Sequence, residues 1–195
     1  MFLYSQHKKE FWISGIIILL VVGYWQRRNI AKTLKIPLYL ALDPMSTVRY
    51  YQLNPAFRPY VASLIDQADL LGYDSTIVSG YRNYQDGVKL AQQLGEAAAP
   101  ITNYHLFGLA VDMNFTSRAT GKVLNKATST LADWNTSGIP ILADNLGIRW
   151  GGTFSTPDIN HFDLASVYPI LDLTNLAIDQ YGSLQNVNGT DLKIA

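Results

Sequence analysis

Two short stretches, H-L-F-G-L-A-V-D at 105–112 and D-I-N-H-F-D at 158–163, decide how this chain is read. The sequence holds three histidines, His7, His105 and His161, and two of them fall in these stretches. Leu109 to Phe115 alternates in polarity and predicts a strand, so Asp112 stands on a strand and His105 in the loop before it. A spacing of seven does not share one helical face. It does suit a loop residue and a strand residue that point into one cleft. Gly108 permits the tight turn between them. Ala110, on the strand face of Asp112, leaves room beside it. Taken alone, the spacing also fits a buried histidine hydrogen-bonded to a buried aspartate.

The second stretch adds His161, and Asp158 three residues ahead of it. His105, Asp112 and His161 make three ligands for zinc, with a fourth position left for water. Water bound there can reach a pKa of about 7, and Asp158 is placed to take its proton and pass it to a leaving amine. That is amide hydrolysis. Arg82 follows the β-branched run S-T-I-V-S (75–79), which predicts a buried strand, and emerges at its end. Its guanidinium could hold a substrate carboxylate or support an oxyanion. A surface pairing with Asp86, four residues on, is the alternative.

Composition narrows the classes. Apolar residues are 48% of the 195, enough for one globular domain with an appendage. Fifteen basic residues balance fifteen acidic ones, and no basic block suits the chain to nucleic acid. With no cysteine, disulfides, thiolate metal sites and a cysteine nucleophile are excluded.

Phe11 to Trp25 is uncharged, with Lys8 and Lys9 before it and Arg27 and Arg28 after it. The run covers about 22 Å as a helix, and the aromatic ends and snorkelling cations could extend its span. A membrane anchor over residues 1–28 is the expectation, ahead of a cleaved signal peptide or a core helix. Charge counting (two Lys before, Arg27, Arg28, Lys32 and Lys35 after) would place the C-terminal side in the cytoplasm, whereas the enzymatic reading needs that side exported.

Residues 29–46, with Pro37 and Pro44, read as a linker, and the globular domain as 47–183, beginning near Ser46. Helices are expected over Phe57–Leu71, stopped by Gly72, over Asn83–Ala99, over Ser129–Leu146 with a break at 137–140, and over Val167–Tyr181. Strands are expected over 75–79, 109–115, 147–150 and 161–164, a turn at 117–122, and residues 184–195 as a polar tail. Separate helices and short strands predict an α+β fold.

The elements S-G-Y-R (79–82), H-x-x-G-x-A-x-D (105–112), W-G-G (150–152) and D-x-x-H-F (158–162), in this order, resemble the M15 family of zinc D-peptidases over about residues 47–165. The resemblance implies a small antiparallel sheet with flanking helices, of the Hedgehog and DD-peptidase kind, here preceded by one transmembrane helix. It implies zinc on His105, Asp112 and His161, Asp158 as the base and Arg82 as the substrate-stabilising arginine. Tyr81 and Gln85 fall in the same motif and would help shape the cleft. Asn103 stands where the family often has serine and could still donate a hydrogen bond to substrate. The substrate implied is the peptidoglycan stem peptide, cut by a monomer facing the periplasm or cell wall, in wall remodelling or phage lysis. Asp rather than Glu at 158, after W-G-G, leans toward cleavage of the L-alanyl-D-glutamate bond. A D-Ala-D-Ala carboxypeptidase and a non-catalytic zinc-bearing wall-binding module remain the alternatives.

Overall fold

The computed structural model describes residues 43–93 and 103–194. Asp43 opens the first helix, α1 (Pro44–Tyr51): its carboxylate accepts from the amides of Met45 and Ser46, and proline takes the first helical position. The domain therefore starts slightly before the expected Ser46. α2 (Arg58–Leu70) presents Val61, Leu64, Ile65 and Ala68 to the core and ends where Gly72 takes a φ of 88°. β1 (Tyr73–Ser79) follows, then α3 (Tyr84–Gln93), the described part of the helix expected over 83–99.

A turn of 3-10 helix (Tyr104–Phe107) leads into β2 (Ala110–Ser117), the long central strand. β2 pairs with β1 along one side. Along its other side, its first half pairs with β5 (His161–Asp163) and its second half with β3 (Val123–Leu124). β4 (Arg149–Trp150) closes the far edge against β5, and every pairing is antiparallel. The break expected within 129–146 is real. α4 (Leu131–Ser137) starts on a capping box between Thr130 and Asp133, and α5 (Ile139–Asn145) restarts after Gly138. The closing helix, α6, is Ile170–Tyr181. The fold is α+β, with a small antiparallel sheet and flanking helices.

Strand alternation gives the sheet two different faces. Val111, Met113 and Phe115 of β2, Ile77 of β1 and Phe162 of β5 are fully buried. Trp134 of α4 seals this side, edge-on to Phe115 at 5.9 Å and tilted against Phe162 at 6.0 Å and Trp150 at 6.2 Å. The other face carries Asp112, His161 and Asp163.

Two expectations are corrected. S-T-I-V-S is an edge strand paired only to β2, so it buries Ser75 and Ile77 while Thr76 and Val78 stay exposed. Residues 184–194 are docked, not a free polar tail. Val187 and Leu192 are buried, and Asn54 donates from Nδ2 to the carbonyls of Gly189 and Leu192 at 2.7 and 2.9 Å. Phe11–Trp25 and residues 29–42 lie outside the described residues. Among the described residues, no helix is long and apolar enough to cross a membrane.

Candidate metal centre

Register brings the first two candidates together. Asp112 on β2 is directly opposite His161 on β5, and the same Asp112 is opposite Ser79 at the end of β1. An irregularity between Ile77 and Ser79 bends β1 there, as bulges beside functional sites do. His105 arrives from the 3-10 turn. Asn103 caps that turn by accepting from the His105 amide at 2.9 Å, so its carboxamide oxygen works on the backbone. Gly108 ends the turn at φ 66°, and a Cβ there would stand 2.7 Å from the Asn54 amide nitrogen. Asn54 N donates instead to the Gly108 carbonyl at 3.0 Å.

His105 Nε2 lies 3.4 Å and His161 Nδ1 3.2 Å from the same oxygen of Asp112, Oδ1. All three ligand atoms fall within 4.8 Å of one another. Tetrahedral zinc with bonds of about 2.0–2.1 Å has ligand–ligand edges of about 3.3 Å, which the two histidine–aspartate distances match. The far ring nitrogens are occupied. His105 Nδ1 is 2.6 Å from the Gly80 carbonyl, which accepts its proton and leaves the Nε2 lone pair for metal. His161 Nε2 is 3.0 Å from Asp163 Oδ2, which leaves Nδ1 for metal.

Electrostatics follow this arrangement. Burial alone would raise the Asp112 carboxyl, but the two imidazoles hold it well below the usual carboxylate range. Burial alone would lower His161, but the carboxylates of Asp112 and Asp163 push it up to about 9.

Asp163 and its partner Arg149 are the functional residues that sequence reasoning missed. Asp163 is fully buried and takes a two-pronged ion pair from Arg149, Nε to Oδ1 at 2.9 Å and Nη2 to Oδ2 at 2.6 Å. Arg149 in turn lies 4.7 Å over the Phe154 ring and 5.5 Å over that of Tyr104. This chain fixes the orientation of His161.

The W-G-G stretch has a mechanical role. Trp150 Nε1 donates to the Ile159 carbonyl at 2.7 Å, and the Gly151 carbonyl accepts from the Asp158 amide at 2.9 Å. A Cβ on Gly151 would run into the Asp158 carbonyl and come within 3.0 Å of His161 Cβ. The absence of a side chain lets the turn of 158–161 close, with the His161 amide donating to the Asp158 carbonyl at 3.0 Å. The Asp158 carboxylate is partly exposed. Its Oδ1 makes no hydrogen bond, although Lys126 Nζ stands 3.0 Å from it.

Arg82 points into the site. Its Nη2 is 4.0 Å from Asp112 Oδ2 and donates to Ser79 Oγ at 3.1 Å, while Asp86 is engaged by Asn83 and Lys89. Two expected cleft residues are placed elsewhere. The Tyr81 hydroxyl donates to the Val187 carbonyl at 3.0 Å, tying down the C-terminal segment. Gln85 is exposed on the first turn of α3.

Residues 97–164 match the M15 peptidase family model described as D-alanyl-D-alanine carboxypeptidase. Among solved structures, the chain is similar to the L-Ala D-Glu endopeptidase ChiX of Serratia marcescens, with 18% identity, 61% of this chain and 85% of that one covered, and a TM-score of 0.46. It is also similar to a mutant of the vancomycin resistance D,D-pentapeptidase VanY, from a VanB-type resistance cassette, in complex with Zn(II), with 16% identity, coverage of 68% and 82%, and a TM-score of 0.42. No curated protein sequence matches the chain.

Proposed function

We propose that this chain is a zinc metallopeptidase of the M15 kind, with its metal group at His105, Asp112 and His161, that its substrate is the stem peptide of peptidoglycan, and that the bond cut is the one between L-alanine and D-glutamate. The observation that carries the hydrolytic reading is the convergence of three ligand atoms within 4.8 Å of one another, with the Asp158 carboxylate at the head of the turn that delivers His161.

Zinc bound there supplies a Lewis acid for the scissile carbonyl and lowers the pKa of water. Asp158 accepts the proton of the attacking water on a carboxylate oxygen and returns it to the leaving nitrogen. Arg82 offers its guanidinium to the negative charge that develops on the carbonyl oxygen. Asp163 and Arg149 keep His161 in one tautomer and one orientation throughout.

Asp rather than Glu at 158, following Trp150-Gly151-Gly152, favours the endopeptidase bond. The family description favours a second reading, removal of a terminal D-alanine. Incubating the full chain with purified muropeptides, with and without chelator, separates the readings by product mass. Release at the L-Ala–D-Glu bond, abolished by chelator, is expected. A freed terminal D-alanine establishes the second reading, and intact peptide despite stoichiometric zinc leaves only a wall-binding module. The apolar run Phe11–Trp25 supports a membrane anchor; the proposal further takes the enzyme as a monomer acting in wall remodelling or phage lysis, with its domain on the side where wall peptides lie, against the bias of the flanking charges.

A further inference from the structure

We propose that Lys126 is the residue that receives the substrate's own carboxylate, borne on the α-carbon of the residue that follows the scissile bond. The inference rests on the peptidase reading above and names a chemical requirement of that site.

Lys126 lies between β3 and α4 on a segment whose backbone is pinned. Asn125 Oδ1 accepts from the amides of Ala127 and Thr128, both at 2.8 Å, and from the Thr128 hydroxyl at 3.1 Å. The Asn125 amide donates to Ser129 Oγ at 3.0 Å, and that hydroxyl donates to the Val123 carbonyl at 3.2 Å. A fixed backbone thus carries a long side chain that is 64% exposed, its ammonium 3.0 Å from Asp158 Oδ1.

The pair differs from the other ion pairs nearby. Lys122 donates a true hydrogen bond to Asp133 at 2.6 Å, and Arg149 grips Asp163 with two. Lys126 meets Asp158 through one ion-pair contact at 3.0 Å without hydrogen-bond alignment, a looser hold than either of those, and an ammonium has three donors to offer. A lysine locked on the base would oppose its work as a proton acceptor. A lysine that merely waits there can move to another anion.

Charge balance points to an anion. Around the centre, the carboxylates of Asp112, Asp158 and Asp163 are matched by Arg82, Lys126 and Arg149. The two charges of a bound divalent metal are then in surplus, which favours an acidic ligand. Geometry says where its charge should sit. Asp158 must reach the leaving nitrogen, and that nitrogen is bonded to the α-carbon of the following residue. In the stem peptide this carbon bears a free carboxylate in both candidate substrates: the α-carboxylate of D-glutamate, which continues the chain through its side chain, or the terminal carboxylate of D-alanine. Swinging Lys126 from Asp158 onto that group binds the substrate and frees the base in one movement.

The test uses the zinc-loaded full chain in detergent, as wild type, Lys126→Ala and Lys126→Arg. Each is given matched peptides carrying carboxylate or carboxamide at that position, on D-glutamate in one arm and on terminal D-alanine in the other. In the arm that is cleaved, wild type should show a KM about tenfold lower for the acid than for the amide, as a charge-assisted hydrogen bond provides. Lys126→Ala should lose that preference through KM for the acid alone, with zinc content unchanged, and Lys126→Arg should restore most of it. Equal handling of acid and amide by wild type overturns the inference while the peptidase reading stands. So does a preference that survives in Lys126→Ala, or a rise in kcat on both peptides at fixed KM, which would make Lys126 a brake on Asp158. Cleavage of neither peptide in either arm overturns the peptidase reading and the inference with it.

Discussion

Removing one charge at Asp163 takes from His161 Nε2 its anionic acceptor and from Arg149 its partner. Asp163→Asn should weaken zinc binding about 10- to 100-fold, measured by competition with a chromogenic chelator, while the fold persists. His161 makes a second prediction. With the carboxylates of Asp112 and Asp163 pushing its ring from 6.5 up to about 9, the protonated form should stabilise the apo fold fully below about pH 6.5, and this contribution should fade as pH rises through 9. Zinc needs the neutral ring, and its binding below pH 9 releases that proton. Apparent zinc affinity should therefore climb about tenfold per pH unit between pH 6.5 and 8.5, in titrations corrected for buffer binding. A flat profile would mean that His161 is neutral before metal arrives. The ligands were legible in the sequence because metal chemistry demands particular residue types at particular spacings. Asp163 was legible in principle, since it stands two residues past His161 on the same strand face. Arg149 was not, because nothing local announces that β4 lies beside β5.

Among the elements, the turn carrying His105 depends on contacts from both ends of the domain. Gly108→Ala combines a positive φ with a Cβ 2.7 Å from the Asn54 amide nitrogen and 3.3 Å from Gly189. It should destabilise the protein by roughly 2–5 kcal/mol, read from the denaturant midpoint. Ending the chain at Ser183 removes the buried Val187 and Leu192 and uncovers that turn. Roughly 3–6 kcal/mol of stability should go with them, and zinc affinity should fall in parallel. Unchanged thermal unfolding of the shortened chain would show the docking to be incidental. Helices with a clear 3.6-residue period were legible, α2 to within a residue or two. The docked C-terminal segment was not: Val187 and Leu192 are isolated among polar residues and make no period, and their burial comes from Asn54, Tyr81 and Gly108, far away in sequence. The same holds for β1, whose β-branched run reads alike at the centre of a sheet and at its edge.

At the scale of the whole molecule, the sheet keeps its two jobs on opposite faces. Phe115, Phe162 and Trp134 build the core on one side, and on the other Asp112 and His161, with His105 arriving from the turn before β2, build the candidate metal site. Substitutions confined to one face of the sheet should therefore alter either metal binding or core stability, whereas loss of the docked C-terminal segment alters both. Asp158 is the residue that bears on function most directly, because it stands outside the group of three candidate ligands and the proposed chemistry cannot proceed without it. The decisive measurement is zinc content and muropeptide turnover on one preparation of Asp158→Ala beside wild type. One zinc per chain is expected in both proteins, with turnover lost from the variant alone. Turnover that survives in the variant would contradict this, as would loss of the zinc.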